Sequence, residues 1–472
     1  MSKKLLLLVV SLLLAGAPNV FASVGVFDFT ADIGNPLGIG QTIQTGADQY
    51  LIYAGGGDIW GNADQFHYSY NQVTGNVRVS ASLAWQCVGW NDWAKMGTML
   101  RESTDAGSIH YSSLTRKGGG DPWALAGSDG DSIFAQRRES TSGESGSTDN
   151  WNSLPNSRIG VQRVQAGPYE VVQALVDHGS GWEAYWTGLR DLPDTILAGV
   201  AVTAHDDAWI VSAYANNVEF DSNPSLVGVK TANPLAEACG TTLGFMVSAA
   251  KMPAGWDWWD EDGSGGVDRW EQYQQAEYLV KNNGMTGYPG LGGDPTEYPS
   301  EQYGSGYRQL VDLYDSGGRN AFTGASETTF PGIDAYQLTP PEPADGDDDD
   351  RFGVLVEGCI ELTAGLHVFG GVFDDGVLIR IGGVEIGRTN AWDETGQFLF
   401  EAPVAGVYSL EAVGFEGGGG AGLELYEWLN NSTMVLMGDV ANGASPVYVP
   451  EPATIALLGF GGLSMLRIRR KR

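Results

Sequence analysis

From Tyr50 to Leu83 the chain reads YLIYAGGGDIWGNADQFHYSYNQVTGNVRVSASL. Tyr50-Leu51-Ile52-Tyr53 is a short β-type run closed by Gly55-Gly56-Gly57, and Val77-Arg78-Val79-Ser80-Ala81-Ser82-Leu83 is another. The pattern returns at Tyr169-Glu170-Val171-Val172-Gln173-Ala174-Leu175 and at Gly199-Val200-Ala201-Val202. Several short strands at this spacing, separated by turn residues, predict a two-sheet sandwich.

Composition agrees. The 472 residues suffice for roughly three domains of ~150 residues each. Gly supplies 68 of them, about twice the average usage of ~7%, yet with no three-residue period, which excludes collagen. Acidic side chains number 58 against 26 basic ones, a net charge of −32. That surplus repels phosphate backbones and excludes nucleic acid as a partner. Hydrophobic content of 42% with 11% aromatics is too high for a disordered acidic chain.

The two ends carry addresses. Lys3-Lys4, an apolar run from Leu5 to Leu14 and small residues up to Ala22 have the form of a secretory signal peptide over residues 1–22. At the other end, Pro450-Glu451-Pro452 precedes an apolar stretch from Ala453 to Leu466 and the basic residues Arg467, Arg469, Arg470, Lys471 and Arg472. The basic tail keeps that end in the cytoplasm by the positive-inside rule. This ordered set, residues 450–472, resembles the PEP-CTERM sorting signal. The resemblance implies a Gram-negative bacterium, an exosortase as processing partner, and delivery to the cell surface or extracellular matrix. A membrane is then met only through the C-terminal segment before processing. Seven basic residues and one acid leave with the two ends, so the charge of the body deepens from −32 to −38.

Cys87, Cys239 and Cys359 lie far apart in an oxidising setting and allow at most one internal bridge. Buried free thiols are the default expectation, and no CxxC pair makes a zinc site.

Between residues 24 and 222 the motifs follow in order. They are GGGDIWGNADQFHYSY (Gly55 to Tyr70), WAKMGTMLRES (Trp93 to Ser103), FAQRRES (Phe134 to Ser140), AGVAVTAHDD (Ala198 to Asp207) and YANNVEF (Tyr214 to Phe220). Together they resemble the concanavalin A-like, laminin-G-like jelly roll of bacterial surface proteins. The Ser-, Gly- and Asn-rich segment from Glu139 to Arg158 reads as a long surface loop, and Arg101-Glu102 as a structural ion pair. No Glu-x-Asp-x-Glu strand supplies the two carboxyl groups of a glycosidase. His67, His110, His178 and His205 have no ligand spacing. Trp60, Trp85, Trp90 and Trp93 are either core residues or a sugar-stacking platform.

Residues 223–285 read as a connecting segment around DEDGSGGVDRWE, residues 260–271, which fits the twelve-residue EF-hand loop. Asp260, Asp262 and Ser264 stand at positions 1, 3 and 5, and Gly265 provides the sharp turn. Gly266 gives a carbonyl, Asp268 acts directly or through water, and Glu271 closes the shell. Such hard oxygens suit Ca²⁺, with an affinity in the ~10⁻⁴–10⁻³ M range of extracellular modules. A helix is expected from Asp268 to about Lys281, with Val267, Trp270, Tyr273, Ala276 and Val280 near one face. No incoming helix precedes the loop and no second loop pairs with it, so it resembles a lone dockerin-like loop.

The third expected domain, 286–438, opens with a pattern-poor entry and the acidic run 342–350, a solvated loop. Strands then follow at Gly353 to Leu362, Leu366 to Val372 and Val377 to Ile381, with a tight hairpin at Gly382-Gly383. Gly365 to Ile381 and Gly406 to Tyr426 resemble the protective-antigen-type β-sandwich of toxins, glycosidases and adhesins. In sugar-binding members an Asp-Asp pair holds Ca²⁺, which chelates sugar hydroxyls, and Asp374 and Asp375 match that pair. Where family hairpins often carry Asp, this chain has Gly382.

The expected class is mainly β: two β-sandwich or jelly-roll domains with a short helical EF-hand-like segment between them, plus apolar targeting helices at both ends. The expected role is non-catalytic binding of a polysaccharide or other glycan, or adhesion, with bound calcium. A glycan-degrading enzyme and a purely structural matrix component are the alternatives; fold alone does not separate them.

Overall fold

The computed structural model describes residues 23–87, 91–117, 132–151, 157–236, 239–252, 269–282, 303–314, 351–389, 396–417 and 422–450. The apolar stretches at both ends, residues 260–268 and the acidic run 342–350 lie outside the described residues. The chain divides into two compact units, Met1–Gly228 and Val229–Arg472.

In the first unit, β1 (Phe29–Ile33), β2 (Gln41–Gly46), β3 (Gln49–Gly56), β4 (Phe66–Thr74), β5 (Val77–Cys87), β6 (Lys95–Arg101) and β7 (His110–Arg116) come first. Then follow β8 (Ser132–Arg138), β9 (Gly146–Trp151), β10 (Arg158–Ala166), β11 (Tyr169–Asp177), β12 (Trp182–Leu189), β13 (Thr195–Thr203) and β14 (Asp206–Asp221). They form two seven-stranded sheets, β1-β4-β13-β6-β7-β8-β9 and β12-β11-β10-β5-β14-β3-β2. Alternation along the strands decides which face is inward. Ile52, Ala54, Trp85, Met96, Val200 and Val202 share one core cluster between the sheets. Met99, Leu114 and Phe134 turn the other way and pack under Ile59 and Phe66. The expected surface loop 139–158 is corrected by β9, which adds an edge strand to β8. Ser147 and Thr148 suit an edge, where one side of the ladder meets water.

The second unit holds β15 (Lys230–Thr231), β16 (Phe245–Lys251), helix α1 (Arg269–Asn282), β17 (Tyr303–Arg308), β18 (Asp312–Tyr314), β19 (Phe352–Leu362) and β20 (Gly365–Phe373). It continues with β21 (Gly376–Ile381), β22 (Val384–Arg388), β23 (Phe398–Ala402), β24 (Gly406–Glu416), β25 (Gly422–Trp428), β26 (Met434–Leu436) and β27 (Val447–Tyr448). One sheet runs β15-β23-β20-β25-β18, with β26 beside β25; the other runs β17-β16-β19-β24-β21-β22, with β27 beside β19. A single apolar cluster, including Phe245, Phe352, Phe373, Phe400 and Leu425, fills the space between them. Much of the segment read as a connector is therefore part of this sandwich. β16 pairs with β19 from Met246↔Glu357 to Lys251↔Phe352.

Helix α1 covers the outer face of that sheet. Tyr273, Ala276, Leu279 and Val280 pack on Leu355, Leu378, Val413 and Phe415. Contact is close enough that a Cβ on Gly353 would stand 2.8 Å from the Ala276 carbonyl oxygen. Charge completes the seam. Lys281 Nζ lies 2.6 Å from Glu277 Oε1 and 3.0 Å from Glu411 Oε2, and Arg380 Nη2 lies 2.9 Å from Glu277 Oε2.

Cys239 and Cys359 form a disulfide, with Cα atoms 6.1 Å apart. This replaces the expectation of free thiols, and Cys87 is left as the free, exposed cysteine. Among the described residues no helix is long and apolar enough to cross a membrane.

Candidate functional site

Four of the five motifs of the first unit contribute residues to the outer face of its first sheet, whereas Tyr214 to Phe220 lies in β14 of the other sheet. Arg101, His110 and Arg138 stand side by side across β6, β7 and β8. Above them runs the segment that connects β3 to β4, residues 57–65. Asp64 takes Arg101 Nη1 at 2.6 Å on Oδ2 and Arg138 Nη2 at 2.6 Å on Oδ1. All three side chains are fully buried. The remaining guanidinium N–H groups reach carbonyls of Gly61, Ser103, Asp105, Ala106, Ser108 and Gly143. Buried charge is tolerated because it is paired and hydrogen-bonded throughout. Arg101 is thus tied to Asp64 rather than to its chain neighbour Glu102. Burial alone would raise the Asp64 carboxyl, but the Arg138 hydrogen bond and the surrounding cations hold it below its ordinary value.

A second group lies further along the same face. Lys95 Nζ, itself buried, is 2.7 Å from Asp58 Oδ1 and 3.0 Å from the Ile59 carbonyl oxygen. His205 Nδ1 is 3.1 Å from Asp58 Oδ2. Asp58 is partly exposed and is held ionised: His205 and Lys95 override the upward push of burial. Asn91 Nδ2 donates to the His205 carbonyl at 2.6 Å, and Asn91 Oδ1 accepts from Trp93 N at 3.0 Å. The four-tryptophan expectation is resolved residue by residue. Trp85 is core, at 0% exposure, whereas Trp60 is 43% and Trp93 52% exposed; Trp90 lies outside the described residues. Lys95 Nζ sits 5.4 Å from the Trp60 ring centroid, and the Arg116 guanidinium carbon 4.5 Å from that of Trp93. Lys95 and Arg116 are direct partners across β6 and β7. Two open indoles therefore flank one charged cluster.

The histidines do not assemble. His67 bonds Asp32 at 2.7 Å and Thr42 at 3.0 Å, and His178 bonds Ser157 at 2.9 Å. Among the described residues no group of three His, Cys, Asp or Glu side chains has the geometry to hold a metal ion.

In the second unit, Asp374 and Asp375 form the corner between β20 and β21, which belong to different sheets. Both are half-buried, the peptide between them is cis, and Asp375 Oδ2 accepts from Gly417 N at 2.8 Å. Gly382 and Gly383 have φ of 60° and 77°, the two-residue hairpin with both central residues left-handed. An Asp at 382 would be strained, and its Cβ would stand 2.3 Å from that of Ala232. Of the EF-hand-like set, Glu271 lies in the first turn of α1 and is buried. Asp260, Asp262, Ser264, Gly266 and Asp268 lie outside the described residues.

Residues 449–471 match the PEP-CTERM protein-sorting motif. The chain thus carries a signal for export and for C-terminal processing or anchoring at the Gram-negative cell envelope. No curated protein matches the sequence. Solved structures with some likeness include the PA14 sugar-binding domain from an RTX adhesin, at 14% identity. It covers 42% of this chain and 96% of that one, with a TM-score of 0.25. A subtype-switched Epithelial Adhesin 9 to 1 A domain from Candida glabrata, in complex with β-lactose, is 13% identical. It covers 47% and 96%, with a TM-score of 0.29. A polysaccharide lyase of family 18 is 13% identical and covers 41% and 95%, with a TM-score of 0.23. At such scores these likenesses assign no role to this chain.

Proposed function

We propose that this is an exported surface or matrix protein of a Gram-negative bacterium that binds polysaccharide without cleaving it, and that an exosortase processes its C-terminal segment. The observation that supports binding is the pair of exposed indoles, Trp60 and Trp93, on either side of the Asp58–Lys95–His205 cluster. Open indoles offer an apolar face at low entropic cost, and the fixed charged groups between them offer hydrogen bonds to hydroxyls. Asp58 is held ionised, which suits an acceptor of sugar hydroxyls and not the protonated acid that glycoside cleavage requires.

Calcium has two proposed places: the loop of Asp260, Asp262, Ser264, Gly266, Asp268 and Glu271, and the Asp374–Asp375 corner. The first stiffens the entry to α1, whereas the second holds an ion open to sugar hydroxyls, as in the protective-antigen-type adhesins that residues 365–426 resemble. Glycan-array binding by the full chain, with and without chelator, tests the whole proposal. Retention that is lost in Trp60→Ala with Trp93→Ala supports binding at the indole pair, and chelator-sensitive retention supports the calcium-held corner. Hydrolysis products instead make the protein an enzyme, and a blank array leaves a structural matrix component.

A further inference from the structure

Arg116 breaks the pairing pattern of its unit. Every other arginine and lysine between residues 23 and 228 donates to a carboxylate or a carbonyl. Among the described residues Arg116 does neither; its Nε is buried without a partner, and its guanidinium lies over the Trp93 ring. In a chain with more than two acids for each base, an arginine without a carboxylate is an unused anion site. Its neighbour Lys95 is already compensated by Asp58. Among the described residues one positive charge is therefore left over, beside an indole that is 52% exposed.

We infer that Trp93 and Arg116 form a subsite for a uronic acid residue of an acidic polysaccharide. An indole takes the CH face of a pyranose, and a guanidinium takes a planar carboxylate through two parallel N–H···O bonds. A uronic acid carries both features on one ring. A single spare cation matches a singly charged carboxylate better than a phosphate, which asks for more than one. The body's negative charge opposes an acidic polymer at long range, but that field is screened over ~8 Å at physiological ionic strength. The short-range pair then decides. This inference rests on the glycan-binding proposal and names the sugar class it selects.

The test is calorimetric titration of the full chain, at physiological salt, with tetragalacturonate and with the same tetramer after reduction of its carboxyl groups. Charged hydrogen bonds of this kind predict a roughly ten- to hundredfold preference for the acidic probe. Arg116→Gln abolishes that preference but keeps the affinity for the reduced probe. Arg116→Lys retains only part of it, since an ammonium lacks the planar fork. Trp93→Ala weakens both probes alike, and unchanged melting of each variant shows that the fold persists. Equal affinity of the unaltered chain for both probes overturns the uronate assignment while glycan binding stands. A preference that survives Arg116→Gln also overturns it. Binding of neither probe, with a blank glycan array, removes both proposals.

Discussion

Arg138 grips Asp64 with two nitrogens, Nη1 at 2.7 Å from Oδ2 and Nη2 at 2.6 Å from Oδ1, and neither side chain reaches solvent. Through this contact the segment 57–65 is fixed across the strands that carry Arg101, His110 and Arg138. Asp64→Asn removes the charge that balances two buried guanidinium groups. Breaking a buried pair from one side costs about 3–5 kcal/mol. The first unit is expected to lose that much in urea unfolding, while Glu102→Gln, at the partner expected from chain adjacency, loses under ~1 kcal/mol.

His110 gives the first unit an acid sensitivity. Its ring is buried with neither nitrogen hydrogen-bonded, and burial pushes the imidazole down to about 3. The unfolded chain binds a proton near 6.5 that the fold refuses, so stability is lost as pH falls through that window. The slope is about 1.4 kcal/mol per pH unit. Thermal unfolding between pH 6.5 and 4 should show it, and His110→Phe should flatten it. An equal slope in the variant would place the acid sensitivity elsewhere.

His367 gives the second unit the opposite response. Burial works against its imidazolium, but the hydrogen bonds to Glu427 and the Thr363 carbonyl outweigh it and raise the group above its ordinary value. A raised value contributes stability that is complete below about 6.5 and lost as pH rises through the folded value. His367→Gln should therefore remove a decline in the second unit's melting temperature as pH rises above about 6.5. Ser445, which bonds both oxygens of Glu427, can remain in place in that variant.

The Cys239–Cys359 bridge closes a separation of 120 residues. Its reduction is expected to cost the second unit about 2–5 kcal/mol. Calorimetry with and without reductant should lower the transition of the second unit and leave that of the first unit in place. Two unshifted transitions would mean that the thiols are not joined in solution.

Calcium should raise the melting temperature of the second unit through the loop that enters α1. Asp260→Ala with Glu271→Ala is expected to abolish the shift at millimolar calcium. Because Glu271 is buried on the helix, the single variant Asp260→Ala separates loss of the ion from loss of packing. A calcium shift that survives both variants would falsify the loop assignment.

Much of the sandwich is legible in the sequence because strands and tight turns are local. Tyr50–Tyr53, Val77–Leu83 and Tyr169–Leu175 all lie inside strands, and Gly382-Gly383 is the hairpin. The helix expected from Asp268 to about Lys281 is found at Arg269–Asn282. What the sequence hides is non-local. Asp64 stands 37 residues from Arg101, so adjacency pointed to Glu102. Phe245–Lys251 looked like connector because its small residues carry little strand signal until β19 lies beside them. Trp85 and Trp93 are the same residue type eight positions apart in the sequence; only the pleat and the strand end decide that one is core and the other open.

β27 meets β19 where β16 has ended: Cys359 faces Tyr448 and Ile360 faces Val447, while Val449 N donates to the Thr242 carbonyl at 2.8 Å. The last described residues before the sorting segment are thus woven between the two stretches that the disulfide rivets together. Tension applied beyond Pro450 enters the body at a covalent knot in mid-sheet, not at a free hem. A sandwich held in this way can bear a pull on its C-terminal end without unravelling from that end inward.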